Sequence, residues 1–434
     1  MNMEELQNAK GTRDFPPEEK IVRERVVQLL RETFEEYGYS PLETPILCRY
    51  DVLSAKYAGG SEILKETFQL KDQGERELAL RYDLTVPFSK FVGMNPQLKM
   101  PFKRYEIGRV FRDGPLKLGR YREFWQCDVD IVGSIAGMAD AELLLLASRA
   151  FQKIGLNAYL EFNSRNVFEG IMDYAGIEEE KRTEAIISLD KIKKVGEEEV
   201  RKEMRAKDVA EEAIEKLMNA ANLIGKNLEI LDKLKKILTS EKGKKGLLEI
   251  QEMLRYLEAM CVTNVRFTPS LARGLAYYTG PVFEAFLENS KITSSIAGGG
   301  RYDNMIGQLL GGKKEYPATG ISFGLDVITE AMKLEQKAEQ KTVVQLYVIP
   351  IGTPLESMKI CQELRSEGIR CDIDLNGKGI SKNLDYANSL GIPQVLFVGE
   401  NELKAGKFKL KNMKEGSEEV LGLEEVKKKF SASL

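Results

Sequence analysis

Histidine is missing altogether from the 434 residues of this chain. Its absence excludes imidazole general bases, Ser-His and Cys-His nucleophile pairs and His-ligated metals, so any chemistry must run on carboxylates, cations and positioning. Cysteine is scarce too: Cys48, Cys127, Cys261, Cys361 and Cys371 are scattered, odd in number and never in CxxC spacing. Neither a disulfide framework nor a zinc site is indicated, and a reducing cytoplasmic setting is the default expectation. The most apolar run, LLLLA at 143–147, falls far short of a membrane span, and the start MNMEELQNAKGTRDF has no basic-then-apolar leader. Positive charge is not in excess: 64 Lys and Arg face 67 Asp and Glu, a net charge of −3. The balance argues against binding of nucleic acid through bulk charge, while a local basic surface stays permitted.

What is present describes a multidomain globular protein. A chain of 434 residues is too long for one ordinary core and predicts two or three domains. After GTRDFPP, apolar residues from Ile21 to Tyr37 fall at helical spacing over 18–37. YSPLETPIL then reads as extended, with Pro45 suited to a strand edge or an interface. TFQLKD, ELALRYD, FKRYEIGRVFRD and FWQCDVDIVG read as a meandering antiparallel sheet of six or seven strands, completed by later segments. Helix returns at 139–156, AYLEFNS is a strand, and 166–260 is almost entirely helix-forming, rich in Lys and Glu. That charge reads as solvated helix faces, with RNA contact the minority reading. Strands resume at PVFEAFL and SSIAGGGRYD, and ISFGLDVITEAMKLE runs from strand into helix. A polar stretch at 335–342 marks a linker, and beyond it strands and helices alternate as in a small α/β domain with a largely parallel sheet.

Three clusters carry candidate chemistry. Arg112 ends the FKRYEIGRVFRD strand at the mouth of a β-hairpin whose loop, DGPLKLGR, carries Arg120. On the return strand Arg122, Phe124, Gln126, Asp128 and Asp130 share one parity and hence one face. A guanidinium there can hold phosphate or carboxylate in bidentate geometry, although ordinary surface ion pairs fit the pattern equally well. LARGLAYYTGPVFE sets Arg273 beside Tyr277 and Tyr278 in a stretch short of other charge. AGGGRYD, with Gly299 and Gly300, permits close backbone approach to a ligand, though most glycine triplets are plain turns.

Taken together, GRYREFWQCDVDIVG, LRYDLT, RGLAYYTG and AGGGRYD resemble the histidyl-tRNA synthetases, a class II family, over essentially the whole chain. The helix with Pro45 resembles motif 1, which forms the dimer interface in that family, and Phe111-Arg112 with its hairpin resembles motif 2. The resemblance implies ATP-dependent ligation of L-histidine to tRNA(His) through a histidyl-adenylate, by a cytoplasmic homodimer using ATP with Mg2+. It implies an α+β catalytic domain with an antiparallel sheet over 1–165 plus 261–335, holding motifs 1, 2 and 3. A helical insertion over 166–260 and an anticodon-binding α/β domain over 343–434 complete the implied organisation. Arg112 and Arg273 are implied as catalytic cations against the α-phosphate, and Arg120, Gly299 and Gly300 as further ATP contacts. Asp83 and Thr85 are implied at the substrate amine, Gln126 near its carboxylate, and Asp130, Tyr277 and Tyr278 around its imidazole. No metal-ligating side chain is assigned.

The chain departs from that pattern twice. Ala276 stands where the family signature has aspartate, and Val327, in Gly324-Leu325-Asp326-Val327, stands where motif 3 ends in arginine. A valine cannot bind phosphate, so a second function stays open beside the synthetase: a non-catalytic, histidine-sensing or regulatory paralogue that keeps the fold. Freedom from histidine also means that translation of such an enzyme would not depend on its own product.

Overall fold

The helical spacing after Pro16 and Pro17 forms helix Pro17–Glu36, in which Val26, Leu30 and Phe34 are completely buried. Phe34 lies between Tyr105 and Phe323, with ring centroids 5.6 Å from each, and so ties the helix to two strands of the main sheet. The computed structural model describes residues 6–54, 64–116, 120–135, 137–272, 277–312, 314–335 and 340–431. It divides into two units, residues 1–13 with 26–335 and residues 14–25 with 336–434.

The strands of the larger unit are β1 (Ser40–Pro41), β2 (Leu47–Arg49), β3 (Gln69–Lys71), β4 (Glu77–Leu80), β5 (Phe102–Phe111) and β6 (Glu123–Val132). They continue with β7 (Ala158–Ser164), β8 (Val265–Phe267), β9 (Pro281–Leu287), β10 (Ala297–Arg301) and β11 (Ala318–Gly324). The main sheet has eight strands in the order β1-β5-β6-β11-β10-β9-β7-β8. Every neighbouring pair from β5 to β7 is antiparallel, whereas β1 and β8 join the two edges in parallel. The expected antiparallel catalytic sheet is thus its core, and the count of six or seven strands is corrected to eight, mixed at the edges. Edge strands of two and three residues are too short to leave a period in the sequence. TFQLKD and ELALRYD also depart from expectation: β4 pairs with β2 on one side and β3 on the other in a separate three-stranded sheet rather than extending the large one.

Helix Gly137–Ile154 covers the sheet with Leu143, Leu144, Leu146, Ala147 and Phe151, which explains the apolar run, and Phe151 meets Phe323 at 5.5 Å. From Arg165 to Ala259 the described elements are all helices. The first, Arg165–Ala175, is capped by Ser164, whose hydroxyl accepts from Asn166 N, and ends at Gly176 in the left-handed region, φ 75°. The last, Glu241–Ala259, crosses it so closely that a Cβ on Gly170 would collide with Gly243 and one on Gly246 with the Val167 backbone. Glu241–Ala259 also packs on Gly137–Ile154 and on β7, so the outer ends of the helical stretch back the sheet.

The smaller unit holds β12 (Leu346–Ile351), β13 (Cys371–Ile373), β14 (Gln394–Gly399), β15 (Lys407–Asn412) and β16 (Glu418–Gly422), in the order β13-β12-β14-β15-β16. The first three strands are parallel and the last two antiparallel. Alternation sends Leu346, Val348, Leu396 and Val398 to one core and Tyr347, Ile349, Val395 and Phe397 to the other. Among the described residues no helix is long and apolar enough to cross a membrane.

Candidate active site

The β5/β6 hairpin sets the site by its register. Val110 opposes Phe124, Gly108 opposes Gln126, Glu106 opposes Asp128 and Arg104 opposes Asp130. Phe124, Gln126, Asp128 and Asp130, alternate residues of β6, all line one cavity of about 270 Å³. Arg112 lies one residue beyond the paired stretch, its backbone N–H donating to Arg122 O at 2.8 Å. Its guanidinium is 4.2 Å from the Tyr82 ring centroid and 5.0 Å from that of Phe124, and its Nε donates to Tyr82 O at 3.2 Å. The two ring contacts hold a planar cation against the cavity, whose lining it joins.

Asp83 and Thr85 enter from the start of helix Thr85–Met94. Asp83 Oδ1 accepts from Thr85 N at 3.1 Å and Val86 N at 3.0 Å, spending one carboxylate oxygen on the helix end. Burial nevertheless raises the Asp83 pKa, against those bonds and the pull of Arg112.

Beneath the cavity runs a buried charge network. Arg104, completely buried, pairs with Asp130 through Nη2 at 2.8 Å, reaches Glu106 at 3.6 Å and donates to Leu84 O at 3.1 Å. Glu106 in turn pairs with Arg81 at 2.7 Å and accepts from Thr44. The Arg81 guanidinium passes directly over Gly108, where a Cβ would collide with it. On the other side of Asp130, Tyr302 donates its hydroxyl to Oδ1 at 2.6 Å. Burial pushes Asp128 up to about 8 and raises Asp130, with Arg104 opposing in both cases. Burial also holds the Tyr302 phenol well above its usual value, reinforced by Asp130. The result is a floor of carboxyl groups that burial makes reluctant to ionise while the cavity is empty, a strain that a ligand carrying N–H groups or positive charge would relieve.

The wall opposite is backbone. Gly299 and Gly300 of β10 line the cavity, and at Gly300, φ 157°, a Cβ would stand 2.8 Å from the Tyr278 ring. Glycine there lets Tyr278 pack flat against the strand. Tyr277, Tyr278 and Tyr302 form a cluster with centroids 4.6 Å and 6.4 Å from Tyr277 to the other two. Arg301, between the glycines and Tyr302, is structural: it pairs with Asp140 at 2.6 Å and donates to Ser134 O at 2.8 Å.

Of the residues singled out in the sequence, Asp83, Thr85, Arg112, Gln126, Asp130, Tyr277, Tyr278, Gly299 and Gly300 all come together in this cavity. Arg120 is exposed on the hairpin loop and does not line it. Arg273 and Ala276 lie outside the described residues. Val327 follows Gly324, a lining residue, on the first turn of helix Leu325–Leu334, and its neighbour Asp326 accepts from Trp125 N at 3.1 Å. Sequence reasoning passed over Tyr82, Ser322 and Tyr302, and gave Arg104 no role beyond flanking the hairpin strand. The signal for Arg104 was available in the hairpin: pairing its two strands in register places Arg104 opposite Asp130. Among the described residues no three Asp, Glu, His or Cys side chains converge as a metal cage.

An antiparallel sheet bearing a stacked hairpin arginine and a glycine-lined cavity, with a separate α/β unit after it, is the plan of a class II aminoacyl-tRNA synthetase. Residues 11–328 match the family model described as Histidyl-tRNA synthetase, and residues 345–433 the one described as Anticodon binding domain. Histidine--tRNA ligase 1 of Bacillus cereus strain ATCC 14579 is 47% identical over 418 residues, 96% of this chain and 97% of that protein. Histidine--tRNA ligase 2 of Shouchella clausii is 43% identical over 420 residues, 96% and 98% of the two chains. The crystal structure of histidyl-tRNA synthetase from Nostoc sp. PCC 7120 superposes with a TM-score of 0.88 at 26% identity, covering 99% of each chain. The chain belongs to the histidyl-tRNA synthetase family.

Proposed function

We propose that this protein joins L-histidine to tRNA(His) in two steps at the β6 cavity. In the first, the histidine carboxylate attacks the α-phosphorus of ATP, forming histidyl-adenylate and releasing pyrophosphate. Two anions must be held in line, and the stacked Arg112 is the described cation positioned to offset their repulsion. The family resemblance adds Arg273 from the opposite side, Arg120 toward the outer phosphates, and the Gly299 and Gly300 backbone beside the nucleotide. In the second step the terminal ribose hydroxyl of the tRNA attacks the acyl carbon, AMP leaves, and a phosphate oxygen of the adenylate takes the proton in a chain that has no imidazole.

The observation that carries this reading is the acidic floor of Asp83, Asp128 and Asp130 beneath an arginine held at the mouth. A substrate with an ammonium, a ring N–H and a carboxylate complements it from end to end. Asp83 and Thr85 are assigned to the amine, Gln126 to the carboxylate end, and Asp130 with Tyr277 and Tyr278 to the imidazole surroundings. Magnesium enters as the MgATP substrate, since it is held largely by phosphates and water and needs no protein cage. We assign residues 1–165 with 261–335 to catalysis, 166–260 to a helical insertion on the acceptor-arm side, and 343–434 to the anticodon. The working form is a cytoplasmic homodimer joined through the motif 1 helix. A histidine-sensing paralogue has no use for an anticodon-binding unit, and the match over 345–433 favours the ligase.

Histidine-dependent exchange of pyrophosphate into ATP tests the reading. Exchange with histidine and with no other amino acid is expected; none at saturating ATP overturns it.

A further inference from the structure

Cysteine is scarce in this chain, yet two of its five thiols meet in the smaller unit. Cys361 lies on helix Pro354–Ser366 and Cys371 opens β13, and their Sγ atoms stand 3.3 Å apart. The backbone holds them there. Beyond the helix the chain turns at Gly368, φ 81°, where Gly368 N donates to Arg365 O at 3.0 Å and Ile369 N to Leu364 O at 3.2 Å. It then enters β13, which pairs in parallel with β12 and sets Cys371 opposite Leu346. Both cysteines belong to the core that holds Val348, Ile373 and Leu396, Cys361 with no exposure and Cys371 with 8%. Buried cysteines are ordinarily small hydrophobes. The charge around this pair sets it apart. Arg365, one helical turn after Cys361, donates from Nε to Cys371 O at 3.0 Å, which brings its guanidinium to the sulfurs. Contact with Cys371 and the charge of Arg365 lower the Cys361 pKa against burial and Asp372, while the same contact, with burial, raises that of Cys371.

We propose that Cys361 and Cys371, both thiols in the resting protein, form a reversible disulfide when the chain meets hydrogen peroxide. Oxidation of the pair then stops at a state that other thiols undo. The proposal is independent of the histidine reading of the cavity, which lies in the other unit. A disulfide bond is about 2.05 Å long, so the two sulfurs close by about 1.2 Å. Access comes through β13, a three-residue strand at the sheet edge with β12 as its neighbour, since fraying of a short edge admits a small oxidant. The Cys361 thiolate attacks one peroxide oxygen, the O–O bond breaks, and the leaving hydroxide takes up the Cys361 proton as water. The Cys371 sulfur then attacks the sulfur of the resulting sulfenic acid. The S–S bond forms, the S–O bond breaks, and hydroxide leaves with the Cys371 proton as a second water. Two thiols are oxidised and one peroxide is reduced, with no further reactant. Without Cys371 the sulfenic acid goes on to sulfinic acid, which thiols do not reverse.

The test exposes the reduced full chain to increasing hydrogen peroxide, blocks the remaining thiols with an alkylating reagent under denaturing conditions and reads the peptides by mass spectrometry. Cys261, which is exposed, reports the dose. A peptide pair linked through Cys361 and Cys371 is expected to grow with peroxide and to disappear on treatment with dithiothreitol. In Cys371→Ser, Cys361 is expected as a sulfenic acid that a 1,3-diketone traps, and at higher peroxide as a sulfinic acid that dithiothreitol leaves unchanged. In Cys361→Ser, Cys371 is expected to stay a thiol at doses that link the pair in the wild type. The wild-type measurement decides alone should either variant fail to fold. Recovery of both residues as alkylated thiols at a dose that oxidises Cys261 would overturn the proposal. So would a link from either one to Cys48, Cys127 or Cys261, or Cys361 found as sulfinic acid in the wild type at that dose.

Discussion

Tyr302 and Asp130 meet at 2.6 Å beneath the cavity, a phenol donating to a carboxylate that also pairs with a fully buried arginine. Both partners are buried, so the bond is made at low dielectric and its loss leaves an oxygen that water reaches poorly. Tyr302→Phe keeps the ring and its packing against Tyr277 and removes only that donor. A destabilisation of about 1–3 kcal/mol is expected from the unpaired acceptor. In a protein of this size that lowers Tm by about 1–3 °C, measurable by differential scanning calorimetry.

Arg104 is the cation on which this floor depends. It faces Asp130 and Glu106 with no exposure to solvent and lies 4.2 Å from the Phe88 ring centroid. Arg104→Met fills similar space but leaves the buried Asp130 without its counter-charge, while Glu106 keeps Arg81. Breaking a buried pair on one side costs about 3–5 kcal/mol. The variant is expected to unfold at markedly lower denaturant concentration. A Cm within error of wild type would contradict the network.

The pH dependence follows from Asp128. Burial takes its folded-state pKa up to about 8, above the ordinary 3.8, so the folded protein binds a proton there that the unfolded chain has lost. The unfolded state binds fewer protons between those values, and stability contributed by this group falls as pH rises from about 4 to about 8. Asp128→Asn removes the dependence. In the absence of ligand the variant is expected to gain about 1 kcal/mol relative to wild type at pH 8, a shift of roughly 2 °C in Tm, and less at pH 5. The opposite order would refute the assignment.

Val327 occupies the first turn of helix Leu325–Leu334, next to a residue that lines the cavity, where the family motif has a phosphate-binding arginine. The ATP KM of pyrophosphate exchange is therefore expected to be high. Val327→Arg is expected to lower it roughly tenfold, the scale of one charge-assisted contact, and to leave the histidine KM unchanged.

Freedom from histidine predicts a physiological difference. Under histidine depletion, synthesis of this protein, followed by pulse labelling, is expected to fall less than that of histidine-containing proteins of similar length. An equal fall would remove the idea.

How the site was legible depended on the period of each element. The β5/β6 hairpin stood out because alternate residues Phe124, Gln126, Asp128 and Asp130 carry the chemistry on one face, and period two is readable without a structure. AGGGRYD was legible for its glycines, while Tyr302 inside the same motif was passed over because nothing local says a tyrosine hydroxyl faces a carboxylate 172 positions away. Arg104 was hidden for a related reason: its role appears only once the register pairs it with Asp130. In the fold, strands such as β7 and β14 were readable from their apolar runs. The parallel pairing of the two-residue β1 with β5 and the Lys-alternating β15 were not, the first for lack of length and the second because Phe408 and Leu410 are its only buried hydrophobics.

Charging of a tRNA(His) transcript with radiolabelled histidine, with MgATP present, tests the account most directly. Wild-type protein is expected to form histidyl-tRNA, and Arg112→Ala, which empties the stacked position between Tyr82 and Phe124, is expected to lose charging at least about 100-fold. Absence of charging by the wild type at saturating ATP, or full charging by Arg112→Ala, would contradict it.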